Sequence, residues 1–189
     1  MKKEITLAGF GGQGVLTMGL FLAHAGMSEK KKVIYVPAYG AEMRGGTANC
    51  TVTISDKDIS SPVVAYPEVV VAMNHPSLDK FEPLVKSGGL LMVNESLVHR
   101  VPTRNDIEVY MIPTQELADE VGFSRGTNMV MLGALLEATS IINNKYINEY
   151  LTQTFKGKYQ EKMPLNMAAI KAGQDFIQRL QNNKKIITA

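Results

Sequence analysis

The chain has a single cysteine, Cys50, in 189 residues. An internal disulfide is therefore excluded, and so is an iron–sulfur cluster held by this chain alone, because such clusters take several thiolates. The three histidines, His24, His75 and His99, are far apart and lack ligand spacing, so no metal constellation is legible. There is no G-x-S-x-G elbow and no lysine phosphate loop, since Gly14 is followed by Val15 rather than Lys. No apolar run reaches the ~20 residues of a membrane span, and Met1–Thr6 is too short and too charged for a signal peptide. A formal charge of +2 is too small to point to nucleic acid. These absences lead us to expect a cytoplasmic chain with neither a membrane nor a nucleic-acid partner. With no internal repeat, and a length inside the ~50–250 residues of a compact domain, residues 1–189 are expected to form one domain. No complete active site is visible, and no catalytic residue is nominated.

What is present begins with Ala8, Gly9, Phe10, Gly11, Gly12, Gln13, Gly14 and Val15, which follow an apolar run and open an amphipathic one. Gly9, Gly11 and Gly14 stand at the G-x-G-x-x-G spacing of a strand, loop and helix. Glycines suit such a turn because they accept positive φ and let a phosphate or another backbone approach closely. The helix that follows aims unpaired N–H groups at whatever sits over the loop, which makes an anion cradle in principle. A dinucleotide also requires an acidic residue at the tip of the second strand. Here Val33–Val36 runs into Pro37, Ala38, Tyr39 and Gly40 without Asp or Glu. The competing reading is that the glycines only permit a tight turn and close helix-to-strand packing.

The rest alternates strand and helix. Ile5–Gly9 reads as a buried strand, Val15–Met27 as a helix closed by Lys30–Lys32, and Val33–Val36 as a strand covered on both faces. Thr47–Ile54 alternates strictly, with Ala48, Cys50, Val52 and Ile54 on one face, as expected of an antiparallel strand at the sheet edge. On that apolar face Cys50 reads as a small buried hydrophobe rather than a nucleophile. Ser61–Val64 resumes an extended segment. Strands follow at Val69–Met73, Leu90–Val93 and Ile107–Ile112, with helices through Leu78–Val85 and Leu117–Val121. Asn74 and His75 lie beyond a strand's carboxyl end, where ligands collect, although His75 beside Pro76 also suits the start of a helix. Met129–Ile142 leaves scarcely any polar face, so that helix is either central or covered by another chain. Thr127 or Asn128 is expected to cap it, with Arg125 and Gly126 as a second candidate anion site. Shorter helices are expected over Tyr146–Phe155 and from Pro164 to about Asn182. The class is α/β: a doubly wound, mainly parallel sheet with an antiparallel edge strand and helices on both faces.

The motifs AGFGGQGV at Ala8–Val15, PAYGAEMRGG at Pro37–Gly46 and ISSP at Ile59–Pro62, with Gly126, Thr127, Asn128, Leu132, Gly133 and Ala134, together resemble the gamma subunit of 2-oxoacid:ferredoxin oxidoreductases. The resemblance covers nearly the whole chain, and the second motif is its most specific part. It implies a subunit of an enzyme that decarboxylates a 2-oxoacid on thiamine diphosphate, forms an acyl-CoA and passes electrons through iron–sulfur clusters. Those cofactors, and magnesium, are implied to be held by other subunits and none by this chain alone. The implied partners are alpha, beta and ferredoxin-like delta subunits, and the isolated chain is expected to be capable of forming a homodimer. Without a segment of repeated cysteines, the sequence resembles a stand-alone gamma chain of the 2-oxoglutarate type. Branched-chain, pyruvate and indolepyruvate types, and an independent nucleotide-binding domain, are the alternatives.

Joining both readings, Gly9, Gly11, Gly12, Gln13, Gly14, Tyr39, Gly40, Glu42, Arg44, Gly45, Gly46 and Asn128 are expected to bind a cofactor or a neighbouring subunit, with no metal ligand among them. The two glycine-bearing loops follow carboxyl ends of strands and should converge at one edge of the sheet. Arg44 can there meet a carboxylate or phosphate in bidentate fashion, or Glu42 and Arg44 can pair across a subunit boundary. An internal Glu42–Arg44 arrangement that only shapes the loop is the plainer alternative.

Overall fold

The structure, a computed structural model, describes residues 1–39, 46–154 and 157–187. Its strands are β1 (Lys2–Phe10), β2 (Lys32–Tyr39), β3 (Thr47–Ser55), β4 (Val69–Ala72), β5 (Leu90–Asn94) and β6 (Glu108–Ile112). Its helices are α1 (Val15–Ser28), α2 (His75–Phe81), α3 (Thr114–Glu120), α4 (Thr127–Thr139), α5 (Asn144–Thr154) and α6 (Met163–Ile187). The strands form one sheet in the order β2-β3-β1-β4-β5-β6. β1, β4, β5 and β6 pair in parallel, whereas β3 is antiparallel to both β1 and β2. The expected α/β class, with antiparallel pairing confined to one side of the sheet, is what the structure shows.

Three local expectations change. β3, the antiparallel strand expected at the edge, is inserted between β1 and β2, so the outermost strand is β2, which therefore lacks the double cover expected of Val33–Val36. Its continuous apolar run arises because Val33 and Tyr35 pack on the core while Val36 faces outward, 40% exposed. Ser61–Val64 forms no strand, and Val63 is 77% exposed. The lysine cluster also sits differently. α1 stops at Ser28, Lys30 takes a left-handed φ of 60°, and the Lys31 ammonium donates to the carbonyl of Ile141 at 2.7 Å.

The main core lies on one face of the sheet. Ile5 and Leu7 of β1, Cys50, Val52 and Ile54 of β3, and Val71 and Met92 meet Met18, Phe21 and Leu22 of α1 and much of α4. Removing such side chains from water stabilises by about 1.5–3 kcal/mol each. α4 is central: Met129 through Leu136 are all buried within this chain, with α6 packed across it. The crossing depends on two glycines. A Cβ on Gly133 would run into the carbonyl of Ile170, and one on Gly173 into the carbonyl of Val130. Close backbone approach thus explains glycine in the middle of two helices, where it costs about 1 kcal/mol relative to alanine. A smaller apolar cluster on the opposite face joins Val70, Ala72, Leu91 and Val93 to Leu78 of α2 and to Val85 and Val98.

Candidate functional site

β1 ends at Phe10 and α1 begins at Val15, so the four residues between them must reverse the chain at the carboxyl edge of the sheet. Gly12 and Gly14 do so with φ of 100° and 74°, the left-handed region that side chains disfavour. Gln13 pins the turn. Its Oε1 accepts from the Phe10 N–H at 2.6 Å and from the Asn74 amide at 2.8 Å, and its Nε2 donates to the Met73 carbonyl at 3.2 Å. A Cβ on Gly9 would meet Gln13, Val15 and Met73, so Gly9 serves close packing.

The second loop returns to this turn. The Gly11 N–H donates to the Gly46 carbonyl at 2.9 Å, just before Thr47 pairs with Phe10. Tyr39 ends β2 opposite Ala48 of β3. The end of β2, the start of β3 and the glycine turn therefore share one rim, as the strand order required. Gly40, Glu42, Arg44 and Gly45 lie outside the described residues. A shallow recess of about 280 Å³, lined in part by Gly11, Gly12, Gly14, Thr17 and Ala48, opens on this rim.

Asn128 also reaches the rim, by a route the sequence did not suggest. It does not cap α4: the cap is Gly126, and neither Thr127 nor Asn128 supplies a side-chain bond. Instead Asn128 is turned toward α1, where a Cβ on Gly14 would lie 2.7 Å from its Cγ. The starts of α1 and α4 therefore abut at Gly14. Arg125, just before α4, is exposed.

A buried polar ladder extends the rim across the sheet. Asn74 caps α2 by accepting from the Ser77 N–H at 2.9 Å, while Asn94 donates to the Met73 carbonyl at 3.3 Å and accepts from the Thr114 hydroxyl at 2.7 Å. All three are at least 96% buried. Asn94 and Thr114 escaped the sequence reading, because one amide at the end of an apolar strand carries no periodic signal. The signal was the position itself, at the carboxyl end of β5 for Asn94 and at the start of the helix after β6 for Thr114. His75 takes the plainer of its two roles. It starts α2 at the surface and faces Asp79 at 3.7 Å.

Cys50 is fully buried against Gly19 of α1, and burial pushes its thiol up to about 12. A thiol held protonated is neither nucleophile nor ligand. Among the described residues, no group of three or more His, Cys, Asp and Glu side chains is arranged to hold a metal ion. No described helix is long and apolar enough to cross a membrane.

Among the described residues, an open α/β sheet whose glycine turn is bonded to Gly46 at the carboxyl rim, with its cysteine buried in the core, presents backbone and small side chains at that rim. The chain belongs to the pyruvate ferredoxin/flavodoxin oxidoreductase family, which matches residues 4–176. The ketoisovalerate oxidoreductase subunit VorA of Methanothermobacter marburgensis is 36% identical over 177 residues, 93% of this chain. This chain spans only 37% of that relative's length. The 2-oxoglutarate synthase subunit KorC of the same organism is 36% identical over 185 residues, 94% of this chain and 97% of that one. Among solved structures, the keto/oxoacid ferredoxin oxidoreductase gamma subunit from Geobacter sulfurreducens superposes with a TM-score of 0.80 at 26% identity, covering 94% of this chain and 99% of that one. A 2-oxoglutarate:ferredoxin oxidoreductase from Magnetococcus marinus, with 2-oxoglutarate, coenzyme A and succinyl-CoA bound, gives 0.86 at 27% identity, over 94% of this chain and 31% of that one.

Proposed function

We propose that the chain is the gamma subunit of a 2-oxoacid:ferredoxin oxidoreductase, acting on 2-oxoglutarate, and that its glycine rim completes a surface of the thiamine-diphosphate-bearing subunits. The observation that carries this reading is the Gly11 to Gly46 bond, which joins the two most distinctive motifs into one rim. The 2-oxoglutarate assignment is supported by similarity to a KorC chain over nearly its full length. A branched-chain 2-oxoacid is the second reading, favoured by equal identity to VorA.

An iron–sulfur cluster does not fit this chain, whose one thiol is buried and held protonated. The rim suits the anionic end of a cofactor, because its recess offers main-chain N–H groups at the start of α1. Held by the other subunits, thiamine diphosphate with magnesium would supply the decarboxylation chemistry, coenzyme A would accept the acyl group and iron–sulfur clusters would carry the electrons. This chain's part is positional. Gln13 fixes the glycine turn, Gly46 ties the second loop to it, and Arg44 offers a bidentate guanidinium to a carboxylate or phosphate across the boundary. Tyr39, Gly40, Glu42 and Gly45 are proposed to belong to the same contact.

Arg44→Ala in the co-expressed holoenzyme tests this. Turnover or assembly is expected to fall at least tenfold while thermal unfolding of the isolated chain is unchanged; wild-type turnover and assembly would refute it. A panel of 2-oxoacids assayed on the same preparation is expected to give the highest kcat/KM with 2-oxoglutarate. A branched-chain optimum would overturn the substrate and leave the subunit reading in place.

A further inference from the structure

We propose that residues 99–105 form a strap latched onto the Glu82 carboxylate, and that this strap opens and closes as a unit while the sheet beneath it stays folded.

β5 and β6 are parallel neighbours. Such a pair is ordinarily joined through a crossover helix, which supplies its own main-chain hydrogen bonds and lays an apolar stripe on the sheet. Here the crossover, residues 95–107, contains neither helix nor strand. Only Val98 of it is buried, joining Val70, Ala72, Leu91 and Val93 on the outer face, with Ile107 partly buried beside them. Leu97 and Val101 are 53% and 76% exposed. Apolar burial therefore holds this connection near its ends and not along its length.

Polar bonds hold the middle, and they converge on one group. Among the described residues, no main-chain to main-chain hydrogen bond begins or ends in 99–105. Glu82, immediately after α2 and 3% exposed, takes their place. Its Oε1 accepts from the Thr103 N–H at 2.5 Å, the Thr103 hydroxyl at 3.2 Å and the Arg104 N–H at 3.2 Å, and its Oε2 meets the Arg100 guanidinium at 2.8 Å. Arg100 also donates to Asp79, and Arg104 to Asp106 and to the carbonyls of Glu82 and Val85.

Both ends are anchored independently of that carboxylate. The Val98 N–H donates to the Asn94 carbonyl at 3.0 Å, and the Asp106 carbonyl accepts from the Gly88 N–H at 2.8 Å. Segments with few buried apolar contacts open locally at far less cost than the whole fold. Charge-assisted bonds define the closed form, and because they share one acceptor group, withdrawing it releases Arg100, Thr103 and Arg104 together. The larger core lies on the other face of the sheet, so opening leaves it packed.

Amide hydrogen exchange of the full chain, followed by NMR in increasing urea, tests this. The Thr103 and Arg104 amides are expected to be protected, yet to exchange at least about tenfold faster than those of Ile5–Ala8 in β1 once intrinsic rates are allowed for. Their rates should hardly change up to about 1 M urea, because a strap exposes little surface when it opens, whereas the β1 amides should accelerate. Arg100→Ala, which removes one arm of the latch and keeps the carboxylate, is expected to speed exchange at Thr103 and Arg104 several-fold with the same flat urea dependence. Glu82→Gln is expected to remove most of their protection while Ile5–Ala8 remain protected; should that variant fail to fold, the parent and Arg100→Ala series decide alone. Thr103 and Arg104 amides that match β1 in rate and urea dependence would overturn the local opening. Unprotected amides at both positions in the parent chain, or an Arg100→Ala chain with unaltered exchange there, would overturn the latch.

Discussion

Cys50 illustrates how far a single side chain's environment fixes its chemistry. Alternation along Thr47–Ile54 placed it on the inward face, and the structure buries it completely behind Gly19 and Tyr35. With its thiol pushed up to about 12 by burial, only roughly one molecule in ten thousand carries the thiolate at pH 8. Iodoacetamide at pH 8 is therefore expected to leave the native chain unmodified over hours and to label it stoichiometrically in guanidinium. Mass spectrometry reads the outcome, and native labelling at the rate of an open thiol would contradict the burial. Cys50 was legible because period-two alternation is a direct record of which face is dry. Asn128 was not. Its polar type and its place beside an apolar helix argue for a cap, and only the approach of α4 to Gly14 turns it elsewhere.

At the scale of elements, strands were legible wherever β-branched residues ran together, and helices wherever apolar spacing held. Their order was not, because nothing local to Val33–Val36 tells an interior strand from one displaced to the edge by β3. The connection between β5 and β6 was equally silent, having charge but no period. The structure explains it through Glu82, at the end of α2 and nearly buried. Its Oε1 accepts from the N–H groups of Thr103 and Arg104 at 2.5 and 3.2 Å, and its Oε2 meets the Arg100 guanidinium at 2.8 Å. Burial alone would raise this carboxyl's pKa, but the Thr103 N–H, Arg100 and the Arg104 N–H together outweigh it and hold the pKa below the usual carboxylate range. A depressed pKa stabilises the fold above the unfolded value of ~4.3, and that contribution is lost as pH falls through the folded value. Glu82→Gln is expected to cost about 1.5–3 kcal/mol at pH 7. Urea unfolding checks it, and the gap between parent and variant should narrow from pH 4.5 downward. A gap that is constant from pH 7 to pH 3 would show that the carboxylate's charge contributes nothing.

Across the whole molecule, the glycine turn is not held by its own strand alone. Phe10 of β1, Met73 and Asn74 after β4, Asn94 at the end of β5 and Thr114 at the start of α3 form one hydrogen-bonded line along the carboxyl edge. The Met73 carbonyl is its centre, accepting from Gln13 on one side and Asn94 on the other. Because Asn74, Asn94 and Thr114 in this line are buried, each holds its neighbours in one arrangement, and a broken link there leaves a polar atom without water. Thr114→Val removes the donor to Asn94 and should cost about 1–3 kcal/mol, as should Asn94→Leu. The double variant leaves no orphaned amide, and Met73 keeps its bond from Gln13. Its loss should therefore fall short of the sum of the single losses by about 1 kcal/mol. Gln13→Leu with Thr114→Val, which share no direct contact, should instead come closer to additive. Chemical denaturation of all five variants decides between a connected ladder and independent bonds: equal additivity in the two cycles would mean that Asn94 and Thr114 act separately, and that the glycine turn takes its geometry from Gln13 alone.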